Sequence, residues 1–161
     1  MPRTSRKKSD LQKELKQTRP FRSPAEEAFV AILKTADVLR RRMARIVEPH
    51  GITPQQYNVL RILRGAHPDP LPTLEIRERM IEEAPGITRL VDRLERRGLI
   101  QRERAEDDRR RVDCWITAAG LALLEELDEE IDAADEATTK GLSGREVEAL
   151  LRSLEAVRRV E

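Results

Sequence analysis

The chain has 161 residues, with 31 Lys and Arg balanced by 30 Asp and Glu, one cysteine, and aromatics at only 2% of positions. That length suffices for one domain with a real core, which must be built from Leu, Ile, Val and Ala, while the lone cysteine excludes an internal disulfide framework and a cysteine-based zinc site. No apolar run approaches the ~20 residues that span a bilayer, and the basic N-terminus lacks an apolar signal core, so the expectation is a cytoplasmic protein with no membrane partner.

Residues 1–20 are polar and basic, with Leu11 and Leu15 offering at most a weak helical turn. They are expected to form a basic, disordered N-terminal arm. Residues 1–22 hold eight basic side chains against Asp10 and Glu14, a local charge of +6. Ser23-Pro24-Ala25-Glu26 opens a helix, with Ser23 as cap, Pro24 in the first position and Glu26 completing a capping box. Phe29, Ile32, Leu33, Ala36, Leu39, Met43, Ile46 and Val47 recur at three- and four-residue steps, and Pro49 and Gly51 end the helix. Such a long apolar stripe is more than a compact monomer easily covers, which points to a subunit interface.

Thr53 caps a second helix, with Pro54 first in and Ile52 stapled to Tyr57. The stretch Ala66–Pro72, with three prolines, reads as a loop. Thr73 is placed to cap a short helix holding Leu74, Ile76 and Met80. Pro85 restarts the chain as a first-turn residue of a helix running to Arg97, with Ile87, Leu90, Val91 and Leu94 as its buried stripe and Gly98 at its C-terminal position. Leu99-Ile100 begins a strand that returns as Val112–Ile116, with Val112, Cys114 and Ile116 alternating onto one face. Thr117 caps a long acidic helix, and Leu142-Ser143-Gly144-Arg145-Glu146-Val147 opens a terminal helix with a capping box and staple. From Thr117 onward five bases face twelve acids, a local charge of −7. That half would repel phosphates, so nucleic-acid contact falls to the middle of the chain and the N-terminal arm.

Two segments carry chemistry. On the helix after Ala84 the apolar stripe leaves Thr88, Arg89, Asp92, Arg93 and Arg96 on the opposite side, and small Pro85 and Gly86 let its N-terminal end approach bases closely. Arginine pairs bidentately with guanine, and threonine contacts a thymine methyl or a phosphate. The bland alternative is a solvated helix face held by exposed pairs such as Asp92–Arg96. The hairpin then sets Arg102, Arg104, Arg109, Arg110 and Arg111 among Glu103, Glu106, Asp107, Asp108 and Asp113, for no net charge. Bulk electrostatics would not draw it to DNA. Yet three arginines cluster at the turn, where one held stiffly by Asp108 could enter a narrow minor groove.

The pattern Asp108-Arg109-Arg110, five residues, Ile116-Thr117, two residues, Gly120 resembles the wing signature of the MarR family of transcription regulators, with Ile116 where the family has leucine. The stretch Pro85–Leu99 resembles the family's recognition helix, with Ala84 where serine is usual. The resemblance covers the chain from about Ser23 onward. It implies a mainly α fold, a winged helix-turn-helix (about 53–117) with a two-stranded wing, flanked by N- and C-terminal dimerisation helices (about 24–48 and 118–160) in a single domain over 21–161. It implies a homodimer on double-stranded DNA, with recognition helices in successive major grooves of an inverted repeat whose half-sites lie about one turn apart. Carried over by position, Asp108 orients Arg110, Arg110 is the minor-groove residue, and Thr88 and Arg89 meet bases or phosphates. The DNA-binding set is therefore Pro85, Gly86, Thr88, Arg89, Arg93, Asp108, Arg109, Arg110 and Arg111. Members often repress genes and release DNA on binding a small, frequently aromatic effector between the dimer helices and the DNA-binding lobe. No motif fixes that pocket, and Met43 and Tyr57 read as core.

No phosphate loop, nucleophile elbow or His-acid-Ser grouping supports an enzyme, and no cofactor or metal is implied. Cys114 reads as a small apolar residue of the wing strand rather than a redox sensor, and His50 and His67 as surface loop residues. Two readings from other classes compete: a dimeric protein-interaction module, which would need no basic wing tip, and a sequence-indifferent architectural DNA binder, which would rest on the basic arm.

Overall fold

The computed structural model describes residues 9–105, 108 and 111–159. Its backbone divides into two compact units, residues 1–41 and 42–161.

Within the first unit, the described part of the basic arm holds a one-turn helix, α1 (Asp10–Glu14), closed by a reciprocal capping box. Ser9 N–H donates to Gln12 Oε1 at 3.0 Å, and Gln12 N–H donates to Ser9 Oγ at 3.3 Å. The Gln12 amide also donates to the Arg19 carbonyl at 3.2 Å, and Lys34 Nζ lies 3.4 Å from Glu14. These contacts give residues 9–19 a defined path where composition alone suggested disorder. Helix α2 (Pro24–Val47) starts at Pro24, with Ser23 Oγ accepting the Glu26 N–H at 3.1 Å. The Glu26 carboxylate does not close the expected box on Ser23. It accepts the backbone N–H of Arg22 at 2.6 Å and its guanidinium at 3.1 Å, one residue earlier. Phe29 and Leu33 are exposed at 63% and 55%.

In the second unit, Ile46 and Val47 at the end of α2 are buried, and a 3-10 turn (Glu48–His50) leads through left-handed Gly51 into α3 (Pro54–Ala66). Thr53 caps α3 as the sequence indicates. Gln56, itself buried, closes the box by accepting the Thr53 N–H at 2.9 Å. Tyr57, Val59, Leu60 and Leu63 enter the core, where they meet Val91 and Leu94 of α5 (Ile87–Arg96), Cys114 of β3 (Val112–Ile116), and Leu124 and Leu127 of α6 (Ala118–Thr139). The core is aliphatic apart from Tyr57 and Cys114.

The segment Ala66–Pro72 is not wholly a loop. Leu71–Pro72 forms a short strand, β1, pairing with Cys114 and Asp113 of β3. The sheet is therefore three-stranded and antiparallel, in the order β1-β3-β2, with β2 at Ile100–Arg104. Pro72 has no N–H to give a ladder, which suits an edge strand. Thr73 is also placed differently from expectation. It is the first residue of α4 (Thr73–Arg79) rather than its cap, and its hydroxyl donates 3.1 Å to the Val112 carbonyl. The start of α4 is thereby tied to the wing.

Helix α5 begins at Ile87, two residues later than the sequence reading put it, because Pro85 and Gly86 form a turn in which Ile87 N–H donates to the Ala84 carbonyl. Gly98, at φ 69°, ends the helix in the left-handed conformation that glycine adopts without strain. The chain then enters β2 and returns along β3. Thr117 joins the two ends of this excursion. Its Oγ accepts the Gly120 N–H at 3.1 Å, capping α6, and donates to the Gly98 carbonyl at 2.7 Å. Its N–H donates to the Leu99 carbonyl at 3.1 Å. Gly120 packs so closely here that an added Cβ would overlap the Leu99 carbonyl oxygen and lie 2.7 Å from Ile116 Cγ1. The last helix, α7 (Gly144–Arg158), opens with both Ser143 N–H and Oγ–H donating to Glu146 at 2.7 Å, and it buries no residue within the chain.

Gly120→Ala is expected to cost about 3 kcal/mol, since backbone rather than a flexible side chain must move. Gly86→Ala, where a Cβ meets nothing within 4 Å, should cost under about 1 kcal/mol. Urea unfolding of the two variants checks the contrast, and equal losses would refute the steric account.

Candidate nucleic-acid interface

Helix α5 is anchored by Ile87, Val91 and Leu94, which are buried, so that Thr88, Arg89, Arg93 and Arg96 stand exposed on the other side. Among the described residues, no ion pair occupies Arg89, Arg93 or Arg96. The Asp92–Arg96 pair of the bland alternative does not form. Asp92 and Glu95 turn instead toward the hairpin, where Arg102 of β2 takes both. Its Nη1 lies 2.6 Å from Asp92 Oδ1, and its Nε donates to Glu95 Oε2 at 3.0 Å. The hydrogen bond to Glu95 holds the Arg102 guanidinium above its ordinary pKa. One cation from the wing therefore neutralises part of the helix's own acidity, and three arginines remain on its solvent side. This arrangement favours a polyanion over a solvated face laced by internal pairs.

The next arginine, Arg97, has another task. Its guanidinium donates to the carbonyls of His50, at 2.9 Å, and Gly51. The C-terminal end of α5 is thus pinned to the turn between α2 and α3. His50 is partly buried there, with Nδ1 3.5 Å from Glu126 Oε1 of α6, so it is less of a surface residue than its loop suggested. At the opposite end α5 has no side-chain cap, in keeping with Ala84 where a serine would serve; Ala84 is buried. The Ile87 and Arg89 N–H groups donate to the Ala84 and Gly86 carbonyls, and the positive end of the helix dipole suits an incoming phosphate. Pro85 and Gly86 are exposed beside them.

In the wing, the Arg111 carbonyl accepts the Ala105 N–H at 3.0 Å, and the Arg111 N–H donates to the Asp108 carbonyl at 2.8 Å. Arg109 and Arg110 lie outside the described residues, as do Glu106 and Asp107. Asp108 and Arg111 are exposed. Arg111 is nevertheless committed, with its Nε 3.2–3.3 Å from both carboxylate oxygens of Asp113. Asp113 is 9% exposed in the central strand. It is the residue that sequence reasoning passed over. The available signal was its place two residues beyond Arg111, at the start of a strand, where extended backbone sets both side chains on one side. Between α4, α5 and the hairpin runs a cleft of about 740 Å³, whose walls include Leu74, Glu78, Thr88, Arg102, Asp108 and Arg111.

This geometry is that of a winged helix-turn-helix, and comparison with known proteins agrees. The sequence pattern of the MarR family matches residues 50–111. The chain is 30% identical over 135 residues to the HTH-type transcriptional regulator FarR of Neisseria gonorrhoeae, covering 84% of this chain and 90% of that one. The chain belongs to the MarR family. A crystal structure of a MarR transcription factor from Planctomyces limnophilus superposes with a TM-score of 0.66 at 38% identity, spanning 84% of this chain and 98% of the other. The homoprotocatechuate degradative operon repressor of Escherichia coli is 28% identical over 105 residues, 65% of this chain and 70% of that one. The MarR resemblance read from Pro85–Leu99 and from the wing signature therefore holds, and with it a transcription regulator rather than an enzyme.

Part of that signature is architectural. Thr117 and Gly120 build the junction described above. Among the described residues no cluster of His, Cys, Asp and Glu is arranged to hold a metal ion, and no helix is long and apolar enough to cross a membrane. Cys114 is fully buried, 3.5 Å from the Thr73 hydroxyl, and burial pushes its thiol above the ordinary range. A protonated, enclosed thiol is a poor nucleophile. Its reaction with Ellman's reagent is expected only on the timescale of unfolding, and immediate stoichiometric labelling of the native protein would contradict this.

Proposed function

We propose that this MarR-family protein is a homodimeric repressor that binds an inverted-repeat operator through α5 and the wing, and that a small aromatic effector releases it. The observation that carries the reading is the row of exposed cations on α5, with the acids of the same helix drawn off by Arg102. Thr88, Arg89 and Arg93 are assigned to the major groove, with Pro85 and Gly86 allowing close approach. Arg110 is assigned to the minor groove, with Asp108 and Arg109 beside it and Arg111 steadied by Asp113. A repressor role is supported by similarity to the homoprotocatechuate degradative operon repressor of Escherichia coli. The cleft beside Thr88 and Arg111 adjoins both DNA-reading elements, so an occupant would disturb them together.

Dimerisation is supported by apolar surface that the single chain leaves uncovered on two helices. Phe29, Leu33 and Leu39 are exposed on α2, and Leu150, Leu151 and Val157 on α7. Leu33→Glu and Leu151→Glu are each expected to move the protein from dimer toward monomer in sedimentation-velocity runs. A wild-type monomer, or unshifted variants, would remove the dimer from the proposal.

Selection of bound fragments from the parent genome should return a palindromic site with half-sites about one helical turn apart. On that site, Arg89→Ala is expected to lower the ratio of operator to scrambled-DNA affinity by roughly 10-fold, the worth of one good base contact. Arg110→Ala should weaken operator binding by a similar factor at fixed salt while the dimer persists. Fluorescence anisotropy reads both. An unchanged ratio for Arg89→Ala and an unchanged affinity for Arg110→Ala would leave non-specific binding as the better description.

A further inference from the structure

The pairing of Arg102 with Asp92 and Glu95 has a meaning beyond local stability. We propose that Arg102 is a positioning residue for DNA binding: it holds two carboxylates of α5 away from the phosphate backbone. It acts through those neighbours rather than by touching DNA.

Asp92 and Glu95 are three residues apart and thus on one side of the helix. Arg89, Arg93 and Arg96 surround them in sequence. Without a partner, these carboxylates would extend toward solvent on the margin of the cationic face, where like charge on an approaching phosphate raises the energy of the complex. Arg102 is the side chain that prevents this. Its fork spans both acids, with Nη1 on Asp92 at 2.6 Å and Nε on Glu95 at 3.0 Å. A guanidinium can address two acids at once because its donors point in fixed, divergent directions; a lysine ammonium has no such geometry.

The side chain is also held at its base. It leaves β2 opposite Cys114, the fully buried centre of the sheet, so its base cannot drift. Its side chain is 24% exposed, and those of Asp92 and Glu95 are 36% and 37% exposed. The triad is therefore partly withdrawn from water, where ion pairs hold better than at an open surface.

The test uses the full-length protein and an operator found as above, and it rests on α5 facing DNA. Arg102→Gln is expected to bind about 10-fold more weakly at low salt, and the deficit should shrink as salt rises, because exposed carboxylates act through a screened interaction. The triple variant Asp92→Asn/Glu95→Gln/Arg102→Gln should regain affinity to within about 3-fold of wild type, since the acids it neutralises are those Arg102 restrains. Arg102→Lys should fall between wild type and Arg102→Gln. If Arg102→Gln lowers the thermal midpoint, the triple variant and Arg102→Lys still decide the matter at a temperature where each is folded.

A triple variant as weak as Arg102→Gln would overturn the proposal, because Arg102 would then either contact phosphate itself or serve folding alone. A deficit that does not change with salt would overturn it equally. Should Arg89→Ala bind DNA as wild type does, the premise about α5 fails. Should Arg89→Ala lose affinity while Arg102→Gln keeps it, the premise stands and the role given to Arg102 fails.

Discussion

At one point in the second unit, the stretches 98–99 and 117–120 touch backbone to backbone. The Leu99 carbonyl accepts from Thr117 and lies against Gly120, while the Thr117 hydroxyl reaches Gly98. The end of α5, the roots of both wing strands and the first turn of α6 all depend on this contact. Any side chain at position 120 would force them apart. The wing can project only because its base is closed here, and α5 can present one face only because its exit is held by the same contact. What begins as sequence spacing in a signature motif is, physically, a requirement for close approach.

Charge is distributed with equal economy. The protein is almost neutral overall, yet α6 and the residues after it are acidic and the N-terminal region is basic. Within α5 a second segregation operates over a few ångströms, as Asp92 and Glu95 lean toward Arg102 and the remaining arginines face solvent. The Arg111–Asp113 pair repeats the device inside the wing. Isolated exposed ion pairs contribute little to stability. Their importance here lies in which charges they remove from view and which they leave.

Much of this was legible in the sequence because the signals are local. Caps at Thr53, Thr117 and Ser143 bond within three residues, and the helical stripes of α3, α5 and α6 repeat at short intervals, so their positions follow from spacing. Recognition of the MarR pattern rested on Pro85–Leu99 and Asp108–Gly120, both contiguous. Most of the misses share a cause: a partner distant in sequence. Leu71 and Pro72 form a strand only because β3, some forty residues on, is there to pair. Thr73 was taken for a cap because it precedes a helix, but the Val112 carbonyl claims its hydroxyl. Asp92 has Arg96 at helical spacing, yet Arg102 of β2 is the side chain that takes it. Glu26 shifted its grip by one residue because Arg22 offers both backbone and side-chain donors.

The grip of Arg97 on the carbonyls of His50 and Gly51 carries one more implication. A guanidinium bridging two successive peptide oxygens behaves as a hinge pin with little play, so the tail of α5 must follow wherever that bend travels. Its head is held differently, by Ile87 and Ala84 in the core rather than by a side-chain grip. The two ends of the helix therefore answer to different parts of the fold: the exit to the bend before α3, the entry to the packing beneath it.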